Sequence, residues 1–305
     1  MGFSSSEAAR RSKAAPPWAI LAIAVIAISF GGPLSRLANA HPLAVAAWRL
    51  GLSLIAVGGF LVASRGWRQW DTLTRGELIA AGGAGVFLAL HFWTWIASLN
   101  MTTVAASVVL VNTQPVIVAL LSAAFLHEAP ARRQWLGIVI AVAGAIIVAG
   151  PDLLTTADAS SRALWGDLLA LVGAITAALY FLIGRRLRGK LDLWAYVALV
   201  YGACFIALVV FAIAVGAPLI PQRPREIAIF AGLALGPMLV GHTGANWALR
   251  YLPAYVVNVA LLGELVGATI LAAALPGIRE VPPLTTLVGG ALILTGIIVT
   301  SKPVK

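Results

Sequence analysis

Long apolar runs, separated by short polar or proline-containing segments, follow one another along the whole chain. A helix needs about 20 mainly apolar residues to cross a bilayer. Ten runs approach or exceed this length, and because they are continuous rather than alternating, they predict helices rather than membrane β-strands. The predicted spans are residues 17–37, 43–64, 77–99, 102–126, 134–150, 163–187, 193–217, 226–250, 253–275 and 283–301.

The stretch from Ser98 to Gly150 returns in weaker form about 150 residues later, which indicates an internal repeat. The aligned pairs that mark the two copies are Gln114 with Glu264, Glu128 with Glu280, Gly137 with Gly289 and Gly144 with Gly296. Each copy has five predicted helices. Because five is odd, the second copy enters the membrane from the opposite face, and the two form an inverted repeat.

The predicted fold is therefore an all-α integral membrane protein with ten transmembrane helices around a central cavity. The repeat divides the chain into a cytoplasmic tail (1–16), a first repeat (17–150), an external linker (151–162), a second repeat (163–301) and a cytoplasmic tail (302–305). With both termini in the cytoplasm, 15 of the 21 Lys and Arg residues lie at cytoplasmic helix ends. This asymmetry follows the positive-inside rule and sets the predicted orientation.

Composition agrees with a polytopic membrane protein, since 61% of the residues are hydrophobic and only 10% are charged. Soluble domains carry about 25% charged residues. The net charge of +10 is explained by basic loops, so we expect no nucleic-acid partner. Cys204 is the single cysteine, which excludes an intramolecular disulfide and a thiolate metal cluster. We expect no cofactor, no bound metal and no cleaved signal peptide.

Three motifs resemble a known family. They are the arginine of AAWRLGLSLIA in the second helix, Thr113-Gln114-Pro115 in the fourth, and the following turn L-x-E-x-P at Leu126–Pro130. Their order is similar to that in the drug/metabolite transporter superfamily, and most similar to its EamA-like exporters. Within that branch, the many tryptophans and TTVAASVVLVNTQP resemble the YddG-type aromatic amino acid exporters. The second copy departs from the family pattern, because Leu265 stands where many members have proline.

The resemblance implies a multi-pass protein of a bacterial inner membrane. It also implies a central cavity walled largely by the third, fourth, eighth and ninth helices, with the fifth and tenth outside. The partners would be the lipid bilayer and a small-molecule substrate, amino acids above all, and the protein would be a monomer or a homodimer.

Ionisable residues at membrane depth are costly, so each one is a candidate for function. Glu264 is the only carboxylate well inside a predicted span, where it can titrate or bind an amine. His91 and His242 fall within one residue of equivalence in the two repeats. We therefore expect them to face each other across the cavity and, with Glu264, to carry any proton coupling. Hydrogen bonds that only join helices are the structural alternative for all three.

Amide and aromatic side chains complete the predicted substrate site. Gln114 and Asn112 lie beside Pro115, which removes a backbone hydrogen bond and favours a break in the fourth helix. The structural alternative is that these side-chain amides only form hydrogen bonds between helices. The full set of predicted substrate-binding residues is His91, Trp95, Asn112, Gln114, His242, Asn246, Tyr251, Tyr255 and Glu264. Arg49 is left out of it: it could bind a carboxylate, but snorkelling to the outer interface or a structural ion pair is the simpler prediction.

The sequence thus predicts an exporter of small metabolites, most readily of neutral and aromatic amino acids, that works by alternating access. An exporter of drugs or other metabolites is an alternative that only a substrate screen separates. An intramembrane enzyme would need a carboxylate cluster or a zinc motif, and the sequence has neither. A receptor or scaffold without transport is the remaining alternative.

Overall fold

The computed structural model describes residues 16–102, 104–155, 161–220, 222–274 and 283–302. These residues form helices joined by short turns, with no β-strand among them. We number the helical spans α1 to α10. They are Pro17–Ser29 continued by Gly31–Leu37 (α1), Pro42–Ser64 (α2), Arg75–Ser98 (α3), Val104–Val111 with Gln114–Leu121 and the π-helical Ser122–Leu126 (α4), Arg132–Thr155 (α5), Ser161–Leu187 (α6), Leu193–Ala214 (α7), Pro224–Leu233 with the π-helical Ala234–His242 and Thr243–Ala248 (α8), Ala254–Leu261 with Gly263–Ala274 (α9) and Leu284–Ser301 (α10).

Nine of the spans in the described residues are long and apolar enough to cross a membrane. α5, the fifth predicted span, is 24 residues long but is not among the nine. The prediction of a multi-pass, all-helical membrane protein is confirmed. The tenth crossing, the inverted repeat and the orientation stay predictions.

The predicted external linker overlaps the end of α5. α5 continues to Thr155, so residues 151–155 of the predicted external linker are helical. The predicted fifth span ends at residue 150, before Pro151, but membrane helices tolerate proline because neighbouring groups satisfy the backbone. The rest of the linker up to residue 160, the tail residues 1–15 and 303–305, and the second-copy turn that contains Glu280 lie outside the described residues.

α5 and α10 pack against each other through glycines. The backbone of Gly137 meets that of Gly296, and the backbone of Gly144 meets that of Gly289; a Cβ on Gly144 would lie 2.6 Å from the Gly289 carbonyl oxygen. The pairing runs in opposite directions along the two helices, which are therefore antiparallel. In the repeat alignment, Gly137 corresponds to Gly289 and Gly144 to Gly296. Exchanging the two copies therefore converts the Gly137–Gly296 contact into the Gly289–Gly144 contact, which is the symmetry expected of an inverted repeat.

The fourth and ninth spans are both interrupted at the same place in their copies. In α4 the first segment ends at Val111 and the second begins at Gln114; in α9 the corresponding positions are Leu261 and Gly263. The break in α4 was predicted from Pro115. In α9 no proline is present in the described part of the helix, and Gly263 begins the second segment. Interrupted helices of this kind form binding sites in many transporters.

Candidate functional site

A cavity of about 130 Å³ lies between the spans that the two repeats contribute. Its walls come from α1, α2, α3, α4, α6, α8 and α9. No described residue of α5 or α10 lines it. The four spans that the resemblance implied are all present, and α1, α2 and α6 join them. A cavity of this size is small beside the 300–1,000 Å³ of typical ligand pockets.

Six of the nine predicted binding residues line this cavity. They are His91, Trp95, Asn112, Gln114, His242 and Glu264. Four further lining residues that the prediction did not include contribute polar or aromatic groups: Arg49, Phe92, Phe181 and Asn258. The cavity therefore combines one acid, one guanidinium, two imidazoles, three amides and several aromatic rings.

The other three predicted residues do not line the cavity. Asn246 is fully buried, and its amide donates to the Tyr180 hydroxyl at 2.5 Å and to the His242 carbonyl at 2.8 Å. Tyr255 donates its hydroxyl to Gln134 at 3.0 Å. Tyr251 is half-exposed and packs on Trp247 with ring centroids 4.5 Å apart. His242 and Asn246 are four residues apart and share one face of α8. At Asn246 this face packs against α6, so Asn246 does not reach the cavity.

The amides of α4 and α9 meet at the two helix breaks. Gln114 Nε2 donates to Asn258 Oδ1, and Asn258 Nδ2 donates to the Ala254 carbonyl at 2.9 Å. Asn112 lies in the break itself, between the two α-helical segments of α4. This link joins the two repeats through side chains rather than backbone, so it can be exchanged for bonds to a solute without unfolding a helix.

His91 is held in one tautomer. Its Nδ1 lies 3.0 Å from the Gly173 carbonyl, and since a carbonyl only accepts, Nδ1 carries the proton. In the neutral ring Nε2 is then an acceptor. The imidazole stacks on Trp95 with ring centroids 6.2 Å apart, while the indole Nε1 of Trp95 is buried without a partner among the described residues.

His242 ends the π-helical segment of α8 and lines the same cavity as His91. The ring of Phe92 contacts both histidines, with ring centroids 5.3 Å from each. The Nδ1 atom of His242 is buried and has no partner within the described chain. Both histidines therefore line one cavity and contact the same aromatic ring.

Arg49 is the main difference from the sequence prediction. Its side chain is 2% exposed and lines the cavity, so it neither snorkels to the interface nor forms an ion pair with any described residue. Its Cζ lies 4.4 Å from the centroid of Phe92, and Nη2 donates to the sulfur of Met238 at 3.7 Å. Nε is buried without a partner. The depth of Arg49, seven residues into α2, was the sequence signal for this placement.

Glu264 also lines the cavity. It is the second residue of the helix segment Gly263–Ala274, where the positive end of the helix dipole favours a carboxylate. Its carboxylate makes no hydrogen bond to the described residues. Of the described residues that form the cavity wall, Glu264 is the only acidic one, and the sequence predicted it at membrane depth.

A cluster of charged residues closes the end of the molecule that is predicted to be cytoplasmic. Glu128 and Arg185 form an ion pair at 2.7 Å, Glu77 pairs with Lys190, and Asp192 pairs with Arg250 at 3.0 Å. A cation buried beside them, Arg188, donates to the Asn246 and Leu191 carbonyls. Burial, and then the charge of Arg250, lower the pKa of Arg188 to about 10, so it remains charged at neutral pH.

No three His, Cys, Asp or Glu side chains come together in a way that could hold a metal ion, as far as the described residues extend. The cavity groups are therefore suited to hydrogen bonding, charge pairing and ring stacking. These are the interactions that bind an organic solute.

Comparison with known proteins agrees with this geometry. Residues 16–150 and 164–302 each match the sequence profile of the EamA-like transporter family. The chain belongs to the EamA-like transporter family. The two matched segments correspond closely to the two copies that the sequence repeat predicted, and the drug/metabolite transporter resemblance is confirmed at this level.

The similar proteins are transporters by name. An uncharacterized transporter of Archaeoglobus fulgidus is 25% identical over 74% of this chain and 75% of its own length. The uncharacterized transporter YdfC of Bacillus subtilis is 26% identical over 70% of this chain and 68% of its own. Mouse solute carrier family 35 member F6 is 35% identical, but over 29% of this chain and only 25% of the mouse protein.

A solved crystal structure has the same fold, with a TM-score of 0.74 over 92% of this chain and 95% of the other. The two sequences are 18% identical, so the likeness concerns the fold alone. A multi-pass membrane protein of a transporter family is thus established, and its solute is a separate question.

Proposed function

We propose that this chain exports small metabolites from the cytoplasm, most readily neutral amino acids including aromatic ones, by alternating access. The cavity carries the proposal, because both repeats contribute polar groups to it at membrane depth. Solute and ion sites of transporters lie near the bilayer midplane at the interface of two repeats. The inner-membrane location and the cytoplasmic termini are part of the same proposal.

The chemistry of the cavity suits an amino acid. Glu264 and the amide oxygens accept hydrogen bonds from an ammonium group, and the amide nitrogens of Gln114 and Asn112 donate to a carboxylate. Trp95, Phe92 and Phe181 supply aromatic surface for a side chain. Stacking on an aromatic ring adds about 0.5–1.5 kcal/mol beyond the area that is buried.

The size of the cavity favours a small solute over a drug-sized one. A volume of about 130 Å³ accommodates the backbone groups and a short side chain of an amino acid, whereas drug-sized ligands fill several hundred Å³. An aromatic side chain requires the two repeats to separate further, which alternating access provides. An exporter works at high internal concentration, so we expect weak binding, with Kd on the order of 1 mM.

The test is transport by the purified full-length chain in liposomes. Labelled phenylalanine and a smaller neutral amino acid should cross faster than in protein-free liposomes. The variant Gln114→Leu, which has similar volume but no amide, should lose most of this flux. Movement of cationic drugs alone would favour the drug-exporter alternative. Absence of any solute flux, with correctly folded protein, would favour a receptor or scaffold.

A further inference from the structure

Arg49 is an unusual residue for a membrane interior, because its charge is buried and poorly compensated. It lies seven residues after Pro42, or about 10 Å along α2 from the end predicted to be external. A guanidinium has five N–H donors. The contacts within the described residues are a thioether sulfur at 3.7 Å and the face of Phe92 at 4.4 Å, and Nε has none.

These contacts suit the apolar part of the Arg49 side chain. They do not satisfy the N–H donors of its guanidinium group. A buried cation normally pairs with a carboxylate, and one that lacks an ion-pair partner carries a large cost. Among the described residues, Glu264 is the only acid that lines the same cavity, and no ion pair joins it to Arg49. The cavity wall therefore carries one basic and one acidic side chain that form no ion pair with each other.

We propose that Arg49 binds the carboxylate of the transported solute and that Glu264 faces its ammonium group. The solute then lies across the cavity with one fixed direction. This inference rests on the proposed function and deepens it, since it requires both charged groups of the solute. A planar guanidinium matches the two oxygens of a carboxylate, which is why arginine is favoured for such recognition.

A zwitterion is the ligand that compensates both charges at once. A simple amine would pair with Glu264 and leave Arg49 unpaired, and a simple carboxylate would do the reverse. Phe92 supports this arrangement, because its ring lies 4.4 Å from the guanidinium carbon of Arg49 and also contacts both histidines. His91 and His242 then serve as neighbours of the two sites rather than as the charge-bearing groups.

The binding test uses detergent-purified full-length protein and four related compounds. They are phenylalanine, phenylalaninamide, 3-phenylpropionate and phenethylamine, which differ in whether they carry the carboxylate, the ammonium or both. Ligand-induced thermal stabilisation reports binding without requiring transport. Wild-type protein should bind phenylalanine more tightly than phenylalaninamide by roughly tenfold or more, as expected for a charge-assisted hydrogen bond.

Two variants assign the groups. Arg49→Gln should bind phenylalanine and phenylalaninamide about equally, whereas Glu264→Gln should keep the preference for the carboxylate and lose the preference for the ammonium. Arg225→Gln is the matched control, because it removes an exposed positive charge far from the cavity wall and should leave all four affinities unchanged. If Arg49→Gln does not fold, Arg49→Lys decides: it should retain the carboxylate preference in weakened form.

The inference is overturned if wild-type protein does not distinguish phenylalanine from phenylalaninamide, or if Arg49→Gln or Arg49→Lys distinguishes them as well as wild type does. Equal weakening of all four compounds in Arg49→Gln would also overturn it, since that result indicates a purely structural role. Failure of the proposed function gives a different result, namely carboxylate-dependent binding by the wild type without flux in liposomes.

Discussion

Two nitrogen atoms of Arg185 donate hydrogen bonds to the carboxylate of Glu128, Nη2 to Oε1 at 2.7 Å and Nε to Oε2 at 3.2 Å. Its remaining nitrogen, Nη1, donates to the Leu249 carbonyl at 2.7 Å. Glu128 follows α4 in the first repeat, whereas Arg185 and Leu249 end α6 and α8 in the second. One guanidinium therefore ties three helix ends together across the boundary between the repeats.

We expect this ion pair to hold the predicted cytoplasmic end closed. Glu128→Gln keeps the shape of the side chain but removes its charge, so the open state should gain population. The pair is partly exposed, and such pairs contribute about 1 kcal/mol or less, which corresponds to up to roughly a fivefold change in population. The measurement is the rate at which a thiol reagent modifies Asn258→Cys from the cytoplasmic side.

The matched control for this experiment is Lys190→Gln. It breaks the pair with Glu77 at the same end, but Lys190 is 60% exposed and far less constrained. Modification should be faster with Glu128→Gln and unchanged with Lys190→Gln. If Glu128→Gln leaves the rate unaltered, the ion pair does not control access to the cavity.

Glu264→Gln should lower phenylalanine flux by roughly tenfold while leaving the protein folded, because the variant keeps a polar side chain but loses the charge that faces the ammonium group. Wild-type flux should fall when the pH is lowered enough to protonate this carboxylate. The variant should lack that part of the pH response. Flux assays at equal pH on both sides, over a series of pH values, measure it. A variant that transports at the normal rate at every pH would remove Glu264 from the mechanism.

Gly144→Val should destabilise the protein, because the new Cβ would lie 2.6 Å from a carbonyl oxygen and 2.8 Å from a backbone nitrogen of α10. Backbone atoms cannot swing aside, so α5 and α10 must separate. Overpacking of this kind costs about 1–3 kcal/mol. Thermal unfolding in detergent measures the loss. Gly59→Val is the control, since no atom lies within 4 Å of its Cβ position. Similar stability of the two variants would contradict the close contact.

The orientation is tested with reporter fusions. A reporter inserted after Ala157 should be external, and one fused at Lys305 should be cytoplasmic, because the basic residues concentrate at the ends assigned to the cytoplasm. A cytoplasmic signal after Ala157 or an external C-terminus would overturn both the orientation and the proposed direction of export.

The spans and the helix packing were accessible from the sequence because they depend on local properties. Hydrophobic length determines where a helix can cross, and glycine spacing determines where two helices can approach closely. The spacing of Gly137 and Gly144 favours such contacts, but it does not identify the partner helix. The three-dimensional structure was needed to show that the partner is α10. It was also needed to show that Gly137 contacts Gly296 and Gly144 contacts Gly289.

The site was predicted in part, for a physical reason that Arg49 and Tyr255 illustrate. Periodicity tells which residues share a face of one helix, but not which neighbour covers that face. Arg49 was expected at the interface and lies in the cavity, whereas Tyr255 was expected in the cavity and bonds to Gln134. Polar residues at the helix breaks, such as Gln114, were expected in the cavity and do line it. A break and an amide together mark a place where helices do not pack continuously.

The opposite charges of Arg49 and Glu264 have an electrical consequence. In the empty protein, the charges of Arg49 and Glu264 cancel each other. With the proposed solute bound, its carboxylate and ammonium add one negative and one positive charge, so the total is still zero. Neither the loaded nor the empty protein then moves net charge when the cavity changes sides. The potential across the membrane, which acts only on net charge moved, would neither drive nor oppose the cycle. If no ion is coupled to the cycle, the concentration difference of the solute would set the direction of flow.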